Sequence, residues 1–470
     1  MLDIAIYAAG KFVKTEKILE IQNPFSGEIF AKTYLADENL LEETILKAQS
    51  VEEELKNMPS WKKYKILMEI ARKLEENKEE LGKILCLEAA KPLKLALGEI
   101  ERAIQVFIVA AEESKRYPGE VVQMDWTAAG EGRKGLVEYF PIGLVAGISP
   151  FNFPMNLAVH KIAPAIAASC PIILKPSSST PLSTLKLAEI IDSTELPKGA
   201  VSILPMDRTT GNLLVTDERF KLLTFTGSPV VGWKMKAQSG KKKVVLELGG
   251  NAGLIISESC DLDLAVKKSV IGAFSYSGQV CIHTQRIFVH DKILNDFLEK
   301  FVEATKKLVI GNPENPETEI SAMIDESNAL RVEEWIMEAV NEGAKLMYGG
   351  KRKGALVEPT ILMETKAGMK VCCQEVFGPV VIVEPFDDFK TAVAEVNNSE
   401  FGLQAGVFTN HLEEVKYAFS NLHVGGVMIN DVPTFRVDHT PYGGIKNSGL
   451  GREGVKYAML DMLEPKLLVY

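Results

Sequence analysis

An α/β architecture divided into more than one domain is what this sequence predicts, on three observations. Short apolar runs alternate with helix-like ones between residues 143 and 250, and a second series of the same kind runs from 253 to 408. The chain has 470 residues, more than the roughly 100–200 that one domain usually holds. Alternation of this kind builds a parallel sheet covered by helices, and such sheets bind ligands where their strands end at the carboxyl edge. With 46% hydrophobic and 25% charged residues, nothing suggests disorder or a fibrous repeat.

Taken in order, residues 38–116 read as a helical lead-in. Ile66, Leu67, Ile70 and Leu74, with Trp61 ahead of them, mark one helical face, and 96–116 repeats the pattern. A polar, Gly-containing stretch at 125–134 then leads into 135–140, one strand of a hairpin outside the main alternation. It suits an oligomerisation arm or an ordinary surface hairpin. The first α/β series predicts strands at 144–148, 172–175, 201–204, 222–225 and 244–248, with helices starting at Pro154, Pro181 and Val230. The second predicts strands at 253–256, 380–383 and 404–408 and helices over 261–276, 292–307 and 330–341. The apolar tail 464–470 is a lone strand that needs a partner, either that hairpin or a neighbouring subunit.

The formal charge of −10, spread over acidic stretches such as 38–54 and 75–80, argues against a nucleic-acid groove. No run approaches the ~20 apolar residues of a membrane span, and Met1-Leu2-Asp3-Ile4 lacks a secretory layout, so a cytoplasmic protein is expected. Six cysteines, Cys86, Cys170, Cys260, Cys281, Cys372 and Cys373, form no disulfide framework and no Cys-x-x-Cys pair, so no metal site is expected. One of them stands apart. Cys281 lies between the turn Ser275-Tyr276-Ser277-Gly278 and a β-branched stretch, a setting for a nucleophile. Upstream, Glu247 ends an apolar run against Gly249-Gly250, either as a base exposed at a strand end or as a carboxylate merely ending the strand.

No G-x-G-x-x-G follows any strand. Two other strand ends offer polar groups. Gly227-Ser228 leads a strand into a helix, either as a phosphate cradle at a helix N-terminus or as a plain turn capped by Ser228. Lys175-Pro176-Ser177-Ser178 sets a cation and hydroxyls at another strand end, for ribose or phosphate contact or as a solvated turn.

Read together, Ser149-Pro150-Phe151-Asn152-Phe153-Pro154, Lys175-Pro176-Ser177, Phe225-Thr226-Gly227-Ser228, Glu247-Leu248-Gly249-Gly250-Asn251, Gly278-Gln279-Val280-Cys281, Glu375-Val376-Phe377-Gly378-Pro379 and Pro441-Tyr442-Gly443-Gly444 resemble the aldehyde dehydrogenase superfamily in order and spacing over nearly the whole chain. The resemblance implies a three-layer fold. A Rossmann-like NAD(P)-binding domain covers 1–124 and 143–248, an α/β catalytic domain covers 249–435, and a small β bridging arm covers 125–142 and 455–470. It implies a homodimer or homotetramer bridged by that arm. It also implies oxidation of a small aldehyde with NAD or NADP: Cys281 attacks the carbonyl, Asn152 and the Cys281 N–H hold the oxyanion, and Glu247 activates the water that hydrolyses the thioester. A helix end or nearby cation is expected to favour the Cys281 thiolate.

By the same similarity Lys175 contacts the adenosine ribose, Ser228 the pyrophosphate and Glu375 the nicotinamide ribose, with Phe377 near that end. Ser149, Phe151, Ser177, Ser178, Gly227 and Leu248 complete the cofactor set. Ser178 replaces the Glu of many NAD-preferring relatives, so NADP stays open. Phe151 replaces a commoner Trp and Gln374 a commoner Glu, and Met206-Asp207-Arg208 stands where a glycine-rich turn is usual. Arg436, just before Pro441-Tyr442, could grip an anionic aldehyde, and Arg102, His160 and Arg286 are further candidates; the alternative for each is a structural ion pair. The nearest branches are lactaldehyde, succinate-semialdehyde and phosphonoacetaldehyde dehydrogenases. Alternatives to the non-acylating enzyme are an acylating, coenzyme A-dependent one, which Glu247 opposes, and a non-catalytic dinucleotide-binding member of the same fold.

Overall fold

The computed structural model describes residues 1–470. Five parallel strands form the centre of the first sheet: Val145–Ile148, Ile172–Lys175, Val201–Ile203, Leu222–Thr226 and Lys243–Glu247. Their residues are almost all buried, as expected when helices cover both faces. In space the first strand lies between the second and the fourth, so the order reverses there. This is the doubly wound order, and its reversal opens a crevice beyond Ile148 and Thr226. Two N-terminal strands, Ile6–Ala8 and Lys11–Val13, extend one edge antiparallel, and Gly449–Leu450 closes the other against Lys243–Glu247.

The second sheet has seven strands: Lys345–Tyr348, Thr360–Met363, Val380–Phe386, Thr284–His290, Ala252–Ile256, Gln404–Phe408 and Gly426–Ile429, parallel except for the first pair. The helices Leu262–Phe274, Leu294–Lys306 and Glu326–Asn341 stand where the periodicity puts them. The lead-in is helical too, but Trp61 is exposed while Ile66, Leu67, Ile70 and Leu74 face the core. Asp207 caps the helix Arg208–Thr216 by accepting from the Thr210 N–H at 2.9 Å, so the Met206-Asp207-Arg208 departure is a helix start.

The tail finds its partner within its own chain. Leu463–Val469 pairs antiparallel with Lys134–Pro141, and that strand with Gly119–Gln123. This three-stranded sheet therefore begins at Gly119, ahead of residue 125. Residues 455–461, assigned to it on sequence, form the helix Val455–Asp461, whose Val455 and Met459 join the first core. No helix is long and apolar enough to cross a membrane.

Candidate active site

Cys281 stands at the end of a strained approach. After the helix Leu262–Phe274 the chain passes through Tyr276 (φ 50°), Ser277 (φ 52°) and Gly278 (φ 68°), all left-handed. Two non-Gly residues there cost of the order of 1–3 kcal/mol each, sustained only where the surroundings fix them. They are fixed: Tyr276 Oη donates to Ala89 O (3.0 Å), Ser277 Oγ to Ser321 O (2.7 Å), and Gln279 Oε1 accepts the Ile324 N–H (2.9 Å). A Cβ at Gly278 would run into Gly378 O, so glycine is what lets the 375–379 segment close on this loop. Gly249 and Gly250 act likewise, leaving room for the Glu375 carboxylate and for Cys281 O.

The Asn152 side chain meets this loop, its Nδ2 donating to Gln279 O at 2.9 Å. The half-buried Cys281 Sγ lies 3.0 Å from Tyr442 Oη. Burial pushes the thiol up to about 11, with the Tyr442 hydroxyl and Arg436 opposing. The expected thiolate is therefore not the resting form, because desolvation outweighs the neighbouring cation. Glu247 is 3% exposed, and neither carboxyl oxygen has a hydrogen-bond partner. Burial, then the Glu453 charge, raise its pKa well above the carboxylate range, against Arg436 and Lys161, so the site disfavours the ionised form.

Behind Tyr442 lies a buried charged cluster. The Arg436 guanidinium stacks 3.7 Å from the Tyr442 ring centre and donates from Nη2 to Glu453 at 3.1 Å, while its buried Nε has no partner. Lys161 donates to Glu453 (3.2 Å) and Thr226 (2.8 Å). Burial raises Glu453, but Lys161 and Arg436 outweigh it and hold the carboxylate ionised. Arg102 grips Asp438 at 2.6 and 3.1 Å, and His160 Nε2 lies 2.8 Å from the same carboxylate. Because Asp438 can only accept, His160 carries its proton on Nε2. Burial and then Arg436 hold its pKa down, leaving it neutral.

Across the crevice, polar groups lack partners. Ser149 Oγ is buried and unsatisfied. Lys175 makes one contact, to Pro176 O at 3.5 Å, and its stem lies over Gly211. Ser228 occupies the N-cap position of the helix Pro229–Gln238 without a side-chain cap bond, so the plain capped turn is not what forms. Gly227 faces the Phe225 ring with no space for a Cβ. An uncapped helix N-terminus, a free ammonium and an orphaned hydroxyl around a switch-point crevice fit an anionic dinucleotide. At its other end Glu375 accepts the Gly250 N–H at 2.9 Å, burial raising its carboxyl to about 7, and Phe377 (φ 49°) meets Phe151 edge-on at 5.8 Å.

The aldehyde dehydrogenase family model matches residues 12–468. The chain belongs to the aldehyde dehydrogenase family. It is 41% identical over 466 residues to 3-sulfolactaldehyde dehydrogenase of Priestia megaterium, covering 99% of this chain and 97% of that one. It is 39% identical over 470 residues to lactaldehyde dehydrogenase of Methanocaldococcus jannaschii, covering 99% of each. Among solved structures, aldehyde dehydrogenase 21 from Physcomitrella patens, in complex with the reaction product succinate, superposes with a TM-score of 0.98 at 46% identity, over 100% of this chain and 98% of that one.

Not every residue singled out on sequence reaches the site of this dehydrogenase. Arg286 is a correction: its guanidinium donates to the backbone oxygens of Asn251, Glu395 and Val396 at 2.9–3.3 Å and is occupied as a loop clamp. Leu248 is buried beneath Gly232, and Ser177 Oγ accepts the Ser179 N–H at 3.3 Å beside an exposed Ser178. Lys161, Asp438 and Glu453 were missed. Only Lys161 carried a signal, as the one lysine in Pro154–Ala167, a helix buried along its whole length.

Proposed function

We propose that this aldehyde dehydrogenase oxidises a small anionic aldehyde to the carboxylic acid with NADP or NAD, through Cys281. The observation that carries the reading is the unpartnered, buried Glu247 carboxyl, near enough for its charge to act on a half-buried thiol whose loop meets the Asn152 amide. Cys281 gives up its proton to water as sulfur bonds to the carbonyl carbon, and the charge that develops on oxygen is stabilised by the Asn152 Nδ2–H and the Cys281 N–H. When bound, the nicotinamide supplies the hydride acceptor that turns this adduct into a thioester. Glu247, once ionised, takes a proton from water as its oxygen attacks the thioester carbon; the C–S bond breaks and the acid leaves. A base beside the thioester supports hydrolysis over acyl transfer.

Lys175, Ser149 and the start of the helix Pro229–Gln238 would hold the diphosphate and adenosine end, and Glu375 with Phe377 the nicotinamide end. Ser178 brings no carboxylate; burial lowers the Lys175 pKa, the Asp207 carboxylate opposes this and the exposed Arg208 adds to it, and Asp207 is itself engaged by the Thr210 N–H and Lys17. Two cations there favour a 2′-phosphate, hence NADP. The GapN structure from Methanocaldococcus jannaschii, 39% identical, is complexed with NADP.

An anionic substrate follows from charge. Arg102, Lys161 and Arg436 face Asp438 and Glu453, three cations against two carboxylates, while burial disfavours charge on Glu247 and His160, and the Arg436 Nε still has a proton to donate. We also take residues 1–118 and 142–248 as the dinucleotide domain, 249–435 as the catalytic domain, and the sheet of Gly119–Gln123, Lys134–Pro141 and Leu463–Val469 as the bridge of a dimer or tetramer. The exposed Val121, Leu467 and Leu468 of that sheet support the bridge.

The test is trapping. With aldehyde and NADP, Glu247→Gln enzyme should carry an acyl group on residue 281 by peptide mass spectrometry, and Cys281→Ala enzyme should bind cofactor without forming NADPH. Undiminished turnover by Cys281→Ala would overturn the reading.

A further inference from the structure

One buried ion pair takes no part in the chemistry above. Lys91 follows the left-handed Ala90 at the end of the helix Lys78–Ala89, and Glu99 lies on the helix Leu93–Glu113; both side chains are 0% exposed and hydrogen-bonded to each other. The Lys91 ammonium also donates to the backbone carbonyl of Asn152 at 2.6 Å, and lies 3.8 Å from the Phe153 ring centre and 4.3 Å from that of Tyr276. Glu99 Oε1 accepts the N–H groups of Met155 (3.0 Å) and Asn156 (3.1 Å). Phe153 offers no side-chain cap and Pro154 has no N–H, so Glu99 serves as the missing cap of the helix Pro154–Ala167.

Two further bonds complete the cage. Thr180 Oγ1 donates to Phe151 O at 3.2 Å and Thr184 Oγ1 to Pro154 O at 3.0 Å. The backbone that carries the Asn152 amide is thus fixed from several sides, and Lys91 alone also touches Tyr276 in the strained run before Cys281. A buried ion pair is a poor source of stability, since desolvation offsets its attraction and an apolar pair would fill the same space. What an apolar pair cannot supply is a donor to the Asn152 carbonyl and an acceptor for two helix N–H groups.

We propose that Lys91 and Glu99 are positioning residues that hold the Asn152 amide against the Cys281 loop, joining the two segments that must converge on the developing oxyanion. This rests on the proposed oxyanion role of Asn152. Because such an interaction exists only in the transition state, losing it lowers the rate of hydride transfer and leaves KM almost unchanged.

The experiment compares two neutral pairs, K91M/E99Q and K91Q/E99Q. Neither contains an unpaired buried charge, and both keep the acceptor for the helix N–H groups; only the second keeps a donor for the Asn152 carbonyl. Each is measured for melting temperature, NADP affinity, KM for aldehyde and the single-turnover rate of NADPH formation. The expected result is melting temperature and NADP affinity close to wild type in both. The single-turnover rate should fall on the order of 100-fold in K91M/E99Q, as for a small misplacement of a reacting group, and recover at least tenfold in K91Q/E99Q. Equal rates in the two would overturn the proposal, as would failure of both to fold, which would make the pair a folding requirement. Asn152→Ala separates the layers: if it turns over normally, the oxyanion reading fails; if it is slow while K91M/E99Q is fast, only the positioning role fails.

Discussion

Around Ser149, Lys175 and Ser228 polar atoms are left without protein partners, whereas behind Tyr442 nearly every charge is already paired. The first wall suits a large ligand that comes and goes, since its donors wait for an external acceptor. The second is assembled before substrate arrives, and its pairs fix where the one excess charge can act. Preorganised dipoles need no rearrangement when charge develops during the reaction, while free donors on the cofactor side avoid breaking protein contacts at each turnover. The contrast implies that substitutions on the substrate wall have steep effects, and those on the cofactor wall change affinities gently.

The largest effect is expected at Glu247, between the two walls. Glu247→Gln should lower steady-state kcat on the order of 100- to 10,000-fold, as for loss of a general base, while a first burst of NADPH persists. The pH dependence carries the sign. Burial raises the Glu247 pKa well above the carboxylate range, so the basic form grows as pH rises past the range of an ordinary carboxylate. Wild-type kcat should therefore climb with pH above the ordinary carboxylate range, and the Gln variant should show no such limb in its acyl-enzyme hydrolysis. A flat wild-type profile would contradict a desolvated base at this position.

Arg436 sharpens the comparison from the substrate side. Arg436→Leu should raise KM on the order of 10- to 100-fold for succinate semialdehyde or glyceraldehyde 3-phosphate, the value of one charge-assisted hydrogen bond. For propanal the change should be under about threefold on the same reasoning. Because loss of Arg436 also releases Glu453, propanal is the internal control: an equal rise for both substrates would assign Arg436 to structure alone.

How much of this was legible beforehand differs between the walls. The parallel strands, their turns, Cys281, Glu247 and Asn152 could be read because local pattern decides them: apolar runs set strands, and polar residues stranded at their ends set the site. The charged cluster could not, since Lys161, Asp438 and Glu453 are far apart in the chain and meet only through packing of the helix Pro154–Ala167 on the first sheet. Arg286 misled for the same reason. Its sequence neighbours put it near the nucleophile, but the backbone carbonyls of Asn251, Glu395 and Val396 take up its donors. Lys91 and Glu99 carry no signal in the sequence, because only the fold buries both.

The smallest effect is expected on the cofactor wall, at Arg208. Its guanidinium is exposed, so solvent screens it, and an exposed charge contributes little. Arg208→Ser should raise KM for NADP by about two- to fivefold on that scale, leave KM for NAD unchanged, and shift the NADP effect toward zero as salt rises from 50 to about 500 mM, where screening shortens to about 4 Å. Lys175 would still meet the phosphate, which is why the loss is partial. Equal changes for both cofactors would move Arg208 away from the 2′-position and onto the diphosphate they share, and would also remove the argument that two cations at this strand end select NADP.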